Sequence, residues 1–299
     1  MRAERRGPAR ARGFTLIELV VAIVVFGLMA STLVALLRPA IDSHAATRAR
    51  ADLAAQGDLA LRRLQADLRS AVPHSIRTPA ASCFELVPTH GGGRYRRAPD
   101  TVNDSGPGCT PGAACSAALD TTRPSTVFDV LSRLPTTPAV GDFVVVDNRD
   151  PDGVYGGTNR ATVTEVTTPP TVFGPHRIGI TPTQFPRRDD GGSFVVVPAA
   201  QRAVFYVCSG ADGTLDERGD GKGTLYRLMN YGFESRPPQA CPDTAGAAVL
   251  ATRVLSCRFE HAPPAGAARP QGLVRLQIEL ARAGETLRLH AATPLAGAP

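Results

Sequence analysis

An uninterrupted apolar run near the N-terminus constrains this chain more than any other feature. It covers residues 14–37, reads FTLIELVVAIVVFGLMASTLVALL and contains one charged residue, Glu18. At the rise of an α-helix its 24 residues span about 36 Å, enough to cross the hydrocarbon core of a bilayer. We therefore expect a single transmembrane helix at residues 14–37 and a folded domain outside the membrane.

The positive charge of the chain is concentrated before this run. The formal net charge is +6, and the first thirteen residues contain five arginines and one glutamate, so the remainder is close to neutral. Arginines ahead of an apolar helix place the N-terminus in the cytoplasm. A nearly neutral body argues against nucleic-acid binding. Arg94, Arg96 and Arg97 surround Tyr95 and could stack on single-stranded nucleic acid, but 5% aromatic residues and no tryptophan favour a solvated loop.

The residues around the apolar run are ordered differently from those of a secretory signal peptide. Such a peptide has small residues after a short apolar core, whereas here the small residue, Gly13, precedes the run. Cleavage after Gly13 would leave the helix on the mature protein and create an α-amine at Phe14. Glu18 would cost about 2.5–3.5 kcal/mol at the centre of a membrane and less near its surface. It is either a tolerated interfacial acid or a carboxylate that a neighbouring cation neutralises in an assembly.

The stretch RGFTLIELVVAIVVFGLMA resembles the class III signal of type IV pilins and of type II secretion pseudopilins. The resemblance implies that a prepilin peptidase cuts after Gly13 and methylates the α-amine of Phe14. It also implies that Glu18 pairs with the Phe14 amine of an adjacent subunit when apolar helices leave the membrane and pack into a filament core. The implied partners are other major and minor pilins, the peptidase and an assembly platform in the bacterial inner membrane.

The rest of the chain is similar to the MshO-type minor pilins of mannose-sensitive haemagglutinin (MSHA) pili. The similarity rests on LRRLQADLRSAVPHSIR, CFELVPTHGGGRYR, VYGGTNRATV, AVFYVCSG, TLYRLMNYGF, LSCRFEH and LVRLQIELARAGETLRLHA, which occur in this order. Residues 106–116 and 209–223 have no counterpart in that pattern. The resemblance implies a low-abundance subunit that primes a pilus from its tip or an initiating complex. A type II secretion minor pseudopilin and a tip adhesin that binds a surface ligand are the alternatives.

An amphipathic helix is predicted to follow the membrane segment at residues 38–73. Its apolar stripe has steps of three and four residues and comprises Leu53, Gly57, Leu61, Leu64, Leu68 and Val72. Ala60 lies beside this stripe, and Leu59 falls outside it. Pro39 should kink or loosen the chain, and Pro73 should end the helix. The stripe could serve a coiled coil or the protein's own core, and the strand-rich sequence that follows favours the core.

Residues 74–299 are predicted to form a β-rich body. Strands are expected at 83–87, 127–131, 143–147, 161–166, 194–197, 204–208, 224–228, 254–259, 273–280 and 285–290, with a hairpin turn at Ala283 and Gly284. Residues 91–123 are expected to form a loop. The predicted fold class is α+β: a long N-terminal helix, half transmembrane and half amphipathic, packed on an antiparallel β-sheet domain. Residues 1–13 are the cleaved leader.

Six cysteines lie beyond the apolar run, and no two of them have C-x-x-C spacing. An even number without metal-site spacing indicates up to three disulfides formed in an oxidising compartment such as a periplasm. Six cysteines allow 15 pairings, which sequence alone does not resolve. We expect the local pairs Cys109–Cys115 and Cys208–Cys241, with Cys83–Cys257 joining the two ends of the body.

Two acidic loops are the candidates for cation binding, because calcium favours flexible loops of carboxylate and carbonyl oxygens. Asp212, Asp216 and Asp220 are the first candidate set, and Asp147, Asp150 and Asp152 are a second. Solvated acidic turns are the simpler interpretation of both. No other cofactor is expected. The six histidines are scattered, and neither H-E-x-x-H nor G-x-S-x-G is present, so no enzyme is predicted.

Overall fold

The computed structural model describes residues 15–187, 191–262 and 272–295. The chain divides into two compact units, Met1–Ala49 and Arg50–Pro299. The α-helices are α1 (Leu16–Arg69) and the single turn α2 (Gly153–Gly156). The strands are β1 (Arg77–Ala80), β2 (Cys83–Leu86), β3 (Gly91–Arg94), β4 (Ser125–Val130), β5 (Phe143–Val146), β6 (Arg160–Thr167), β7 (His176–Thr183), β8 (Ser193–Val197), β9 (Val204–Ser209), β10 (Gly223–Met229), β11 (Ala248–Ala262), β12 (Leu273–Arg282) and β13 (Glu285–Pro294).

Helix α1 is continuous over 54 residues and runs through Pro39. A proline inside a helix removes one hydrogen bond, and the others still hold the flanking turns. The helix ends at Arg69, earlier than the predicted end at Pro73. The reason is tertiary: the amide of Val72 donates to the carbonyl of Val87, at 2.8 Å, instead of to its own helix.

In the described residues the strands form two antiparallel sheets, a division that the sequence did not indicate. The first sheet has the order β1-β2-β9-β10-β11-β12-β13, and the second has the order β3-β8-β5-β6-β7-β4. The second sheet is an insertion, since the chain leaves the first sheet after β2 and returns to it at β9. The α+β class is confirmed.

Three strands were not predicted from the sequence. Strand β1 reads RTPA, β3 reads GGGR and β7 reads HRIGITPT, so each contains the glycine or proline that usually marks a turn. Residues 91–94 were expected to belong to a loop, but they pair with β8. Pairing with a neighbouring strand overrides the low intrinsic β-propensity of these residues.

The C-terminal part of α1 packs on the first sheet. Leu53, Ala60, Leu64 and Leu68 are buried in one cluster with residues of β2, β9, β11 and β12, while Leu59 is 70% exposed. The apolar stripe therefore serves the protein's own core and not a coiled coil. At full burial each leucine contributes about 1.5–3 kcal/mol, so this stripe is a major source of stability for the unit.

A polar network lies at the same interface. The hydroxyl of Tyr206 and the Nε of Arg227 donate to Asp67 Oδ2 over 2.6 and 2.9 Å. The side chains of Asp67 and Arg227 are 8% and 5% exposed. Burial, together with the adjacent Asp67 carboxylate, raises the pKa of Tyr206, which therefore stays protonated and acts as a donor. The network joins α1 to β9 and β10.

The β12–β13 hairpin is as predicted from the sequence. Ala283 and Gly284 connect the two strands with φ angles of 50° and 81°. Two consecutive residues with positive φ are typical of a type I′ turn, whose twist matches that of the flanking strands. On the α1 side of the hairpin Glu285 accepts a hydrogen bond from Arg50 at 2.6 Å.

All six cysteines form disulfides, but two of the three predicted pairs are wrong. Cys109–Cys115 is present, whereas Cys83 is joined to Cys241 and Cys208 to Cys257. Strand faces explain the correction. Cys83 lies opposite Val207 in the β2–β9 register, and neighbouring residues of a strand point to opposite faces of the sheet. Cys208 therefore faces the α1 side with Cys257, and Cys83 faces the other side with Cys241.

Candidate assembly segment and the other predicted sites

The first turn of α1 is held by a reciprocal pair of hydrogen bonds between Thr15 and Glu18. The backbone amide of Glu18 donates to Thr15 Oγ1 at 3.3 Å, and the backbone amide of Thr15 donates to Glu18 Oε2 at 3.5 Å. This is the capping box, in which the residue before the helix and the third helical residue satisfy each other's amides. The negative charge of Glu18 also complements the positive end of the helix dipole.

The capping box adds a local role for Glu18 that the sequence interpretation missed. The signal was present, because T-x-x-E directly before an apolar run is the sequence signature of this cap. Gly13 and Phe14 lie outside the described residues. Their roles in cleavage and methylation, like the pairing of Glu18 with a neighbouring amine, remain predictions.

The membrane-length part of α1 exposes its apolar side chains. Leu16, Phe26 and Leu36 are 82%, 71% and 76% exposed, and most other large apolar residues between residues 16 and 41 are also exposed. In the described part of the chain one helix, α1, is long and apolar enough to cross a membrane, and its most apolar stretch has a mean hydropathy of 2.7. So large an apolar surface requires lipid or other apolar helices around it.

The acidic loop at residues 209–223 does not gather its carboxylates. Asp212 accepts from the amide and hydroxyl of Thr214, Asp216 accepts from the amides of Arg218 and Asp220, and Asp220 accepts from Arg253 and from the amide of Ala283. Within the described ranges, no three His, Cys, Asp or Glu side chains are grouped so as to hold a metal ion. These aspartates cap turns instead of converging on a cation.

The loop braces the β12–β13 hairpin. The amide of Gly284 donates to the carbonyl of Gly219 at 2.9 Å, and the amide of Gly221 donates to the carbonyl of Ala281 at 3.0 Å. The amide of Ala283 and the guanidinium of Arg253 lower the pKa of Asp220. The Asp220 carboxylate, which links the loop to the hairpin through these two partners, is therefore charged at neutral pH.

The basic and aromatic cluster around Tyr95 does not form a stacking surface. Tyr95 is 3% exposed and packs edge-on against Phe128 in the core of the second sheet. Arg96 forms ion pairs with Asp100, at 3.3 Å, and with Asp129, at 3.8 Å. The buried ring of Tyr95 therefore offers no free face on which a nucleobase could stack.

The family model of the prokaryotic N-terminal methylation motif matches residues 8–34. The chain therefore carries the signal of a type IV pilin-like prepilin, a membrane-anchored class of subunit that is structural and not catalytic. Such a subunit is processed by a prepilin peptidase and assembles with other pilins. The match ends within the apolar run and does not extend into the body. A search of curated proteins and a search of solved structures find no match to the chain.

Proposed function

We propose that this chain is a minor pilin of a type IV pilus of the MSHA kind, which primes assembly of the filament. The observation that carries the proposal is the continuity of α1. The methylation motif at residues 8–34 leads into an exposed apolar helix, and the C-terminal part of the same helix packs in the core of the folded body. One element thus combines a processing signal, an apolar assembly surface and an anchor for the domain that it carries.

The mechanism follows from the chemistry of the N-terminus. The uncleaved chain sits in the bacterial inner membrane with its arginine-rich leader in the cytoplasm and its disulfide-bonded body in the periplasm. Cleavage after Gly13 removes the leader and leaves a cationic, methylated amine on Phe14. Glu18 then pairs with the Phe14 amine of a neighbouring subunit, which neutralises a carboxylate that packing would otherwise bury unpaired. The assembly platform moves the helices out of the bilayer into the filament core.

The inserted second sheet supports a minor role and a place at the tip or in the initiating complex. It has its own core, which includes Phe128, Val144, Ile178 and Phe194, and α1 packs on the first sheet without it. A subunit repeated along a shaft must fit neighbours on every side, whereas a subunit at the end of a filament can carry additional structure.

The second sheet also supports a tip adhesin as a second candidate. The disulfide-closed segment before β4 borders a cleft of about 500 Å³, lined among others by Arg97, Asp104, Asp120 and Arg123. Filaments that assemble normally without this subunit but fail to adhere would favour the adhesin. A type II secretion pseudopilin shares the same N-terminus, and loss of protein secretion, with pili intact, in a deletion strain would favour that function.

Intact-mass analysis of the membrane-extracted protein tests the processing step. In a strain with a functional prepilin peptidase we expect the loss of Met1 to Gly13 and the gain of one methyl group. In a strain without the peptidase we expect the full-length chain. An uncleaved chain in both strains would leave a single-pass anchored domain and contradict the pilin mechanism.

Two matched variants separate the assembly role of Glu18 from its role in the helix cap. Glu18→Gln removes the charge but keeps the cap, because glutamine also serves in a capping box. Thr15→Val removes the hydroxyl of the cap and keeps the charge. If Glu18 pairs with a neighbouring amine, the glutamine variant is cleaved but absent from sheared filaments, while the valine variant is incorporated. Normal incorporation of Glu18→Gln would contradict the charge pairing.

A further inference from the structure

Two arginines of the body lie close together without an acidic partner. Within the described residues, neither Arg160 nor Arg202 forms an ion pair, and burial together with the neighbouring charge of Arg202 lowers the pKa of Arg160. The Nη1 atom of Arg160 is buried and has no hydrogen-bond partner in this part of the chain. A buried charged donor without a partner is costly, and a like charge nearby adds to that cost. The folded chain therefore carries positive charge at this point that an anion would neutralise.

Strand pairing places these charges beside two phenylalanine rings. Arg160, the first residue of β6, lies opposite Val145 of β5, so its side chain is on the same face of the second sheet as Phe143. The guanidinium carbon of Arg160 is 3.8 Å from the ring centre of Phe233 and 5.7 Å from that of Phe143. The guanidinium carbon of Arg202 also lies 5.7 Å from the centre of the Phe143 ring. The two rings meet edge to face with their centres 5.2 Å apart, so both arginines share one aromatic surface.

The carboxylates adjacent in sequence to these rings do not neutralise the two charges. Asp142 is 6% exposed, and its two oxygens accept hydrogen bonds from the backbone amides of Ala139 and Ala199. Glu234 is exposed and forms no ion pair with the described residues. Arg202 is also exposed, and its Nε donates to the carbonyl of Ala199 at 3.3 Å. The counter-charge must therefore come from outside the described part of the chain.

The rings hold the guanidinium groups in place for an anion. A cation beside an aromatic ring is attracted to its face, which restricts the guanidinium before a ligand arrives. Restriction in advance lowers the entropy cost of binding. Arg160 is half-buried and Arg202 is exposed, so a ligand can reach donors of both side chains from outside the body. The planar fork of a guanidinium matches the two oxygens of a carboxylate, and the chemistry of the cluster therefore favours a carboxylate.

We infer that the cluster of Arg160, Arg202, Phe143 and Phe233 is a docking site for a carboxylate side chain of a neighbouring pilin subunit. The inference rests on the proposed function, because the partner follows from the assembly of a pilin-like subunit with other pilins. An aspartate or glutamate of the neighbour accepts hydrogen bonds from both guanidinium groups and cancels their repulsion. Charge complementarity of this kind fixes the register of a contact and suppresses wrong partners, because a basic surface is repelled.

The stability of the isolated chain distinguishes a docking site from arginines that only support the fold. Arg202→Gln removes one of two repelling charges, so the melting temperature of the full-length chain in mild detergent should stay the same or rise. Arg236→Gln is the matched control, because Arg236 is exposed and forms no ion pair with the described residues. A melting temperature of Arg202→Gln clearly below that of Arg236→Gln would assign Arg202 a structural role and overturn the inference.

Incorporation into filaments tests the docking itself. The double variant Arg160→Gln with Arg202→Gln should be cleaved like the wild type, but its amount in sheared filaments should fall about tenfold or more, as expected for the loss of a charged contact. Arg236→Gln should be incorporated like the wild type. Arg202→Glu should also fail to be incorporated, and a second-site change of an acidic residue to lysine or arginine in another pilin should restore it.

The outcomes separate this inference from the proposed function. An uncleaved wild-type chain would contradict the pilin function itself. A wild-type chain that is cleaved and incorporated, together with a double variant that is incorporated equally well, would overturn the docking site alone. A double variant that is incorporated normally but no longer adheres to a surface would assign the two arginines to an acidic ligand on that surface and overturn the neighbouring subunit as the partner.

Discussion

Replacement of Asp67 by alanine should destabilise the body more than any change to an exposed charge on α1. Its carboxylate receives three donors, from Tyr206, Arg227 and Arg63, and the Arg227 guanidinium is 5% exposed. Without Asp67, the described partners of the guanidinium are Tyr206, Gln201 and Met229. Removing one member of a buried ion pair costs about 3–5 kcal/mol, because the remaining charge stays buried.

The expected effect is large enough to measure by thermal unfolding. For a unit of this size, 1 kcal/mol lowers the melting temperature by about 2–4 °C, so Asp67→Ala should lower it by about 6–20 °C. Near-ultraviolet circular dichroism of the full-length chain in mild detergent reports the packing of the buried tyrosines. The membrane segment contains no tyrosine and therefore adds no tyrosine signal.

Two further variants make the reasoning refutable. Asp58 pairs with Arg62 on the exposed face of α1, at 2.8 Å, and Asp58→Ala should change the free energy of unfolding by no more than about 0.5 kcal/mol. The double variant Asp67→Leu with Arg227→Met removes both buried charges and should recover most of the loss. Equal effects of Asp67→Ala and Asp58→Ala, or no recovery in the double variant, would show that the buried pair is not what stabilises this interface.

Three other predictions concern the body. Removal of the Cys83–Cys241 disulfide, which closes a separation of 158 residues, should lower the free energy of unfolding by about 5 kcal/mol. Removal of Cys109–Cys115, with a separation of 6, should lower it by about 2 kcal/mol, and thermal melts under non-reducing conditions should give this order. Burial raises the pKa of Glu85 above its ordinary value of 4.5, against the opposing effects of Tyr231 and Arg77, so the folded state binds more protons than the unfolded state. The wild type should therefore lose stability relative to Glu85→Gln as the pH rises above about 4.5, and parallel pH profiles would contradict this. Ala283 has a φ of 50°, a left-handed conformation that glycine adopts more easily than alanine, so Ala283→Gly should stabilise the hairpin by about 1 kcal/mol. A lower melting temperature of this variant would show that the left-handed conformation of Ala283 is not strained.

Local patterns in the sequence were enough to predict the apolar N-terminal helix, its processing signal and the positions of most strands of the body. The apolar run, its preceding arginines and Gly13 depend on residues close together in the chain. The signature T-x-x-E could equally have predicted the cap between Thr15 and Glu18. Ten of the strands and the β12–β13 turn were also predicted, because alternation and turn residues are local properties.

Tertiary structure decided what depends on residues far apart. Whether strands pair in one sheet or two is set by contacts across the insertion between β2 and β9, which no local pattern encodes. The disulfide partners followed from which face of the first sheet each cysteine occupies, and not from its distance along the chain. The same holds for Asp67, whose buried partner Arg227 lies 160 positions further along the chain. No local pattern marks these two residues as a pair, because burial is a property of the folded chain.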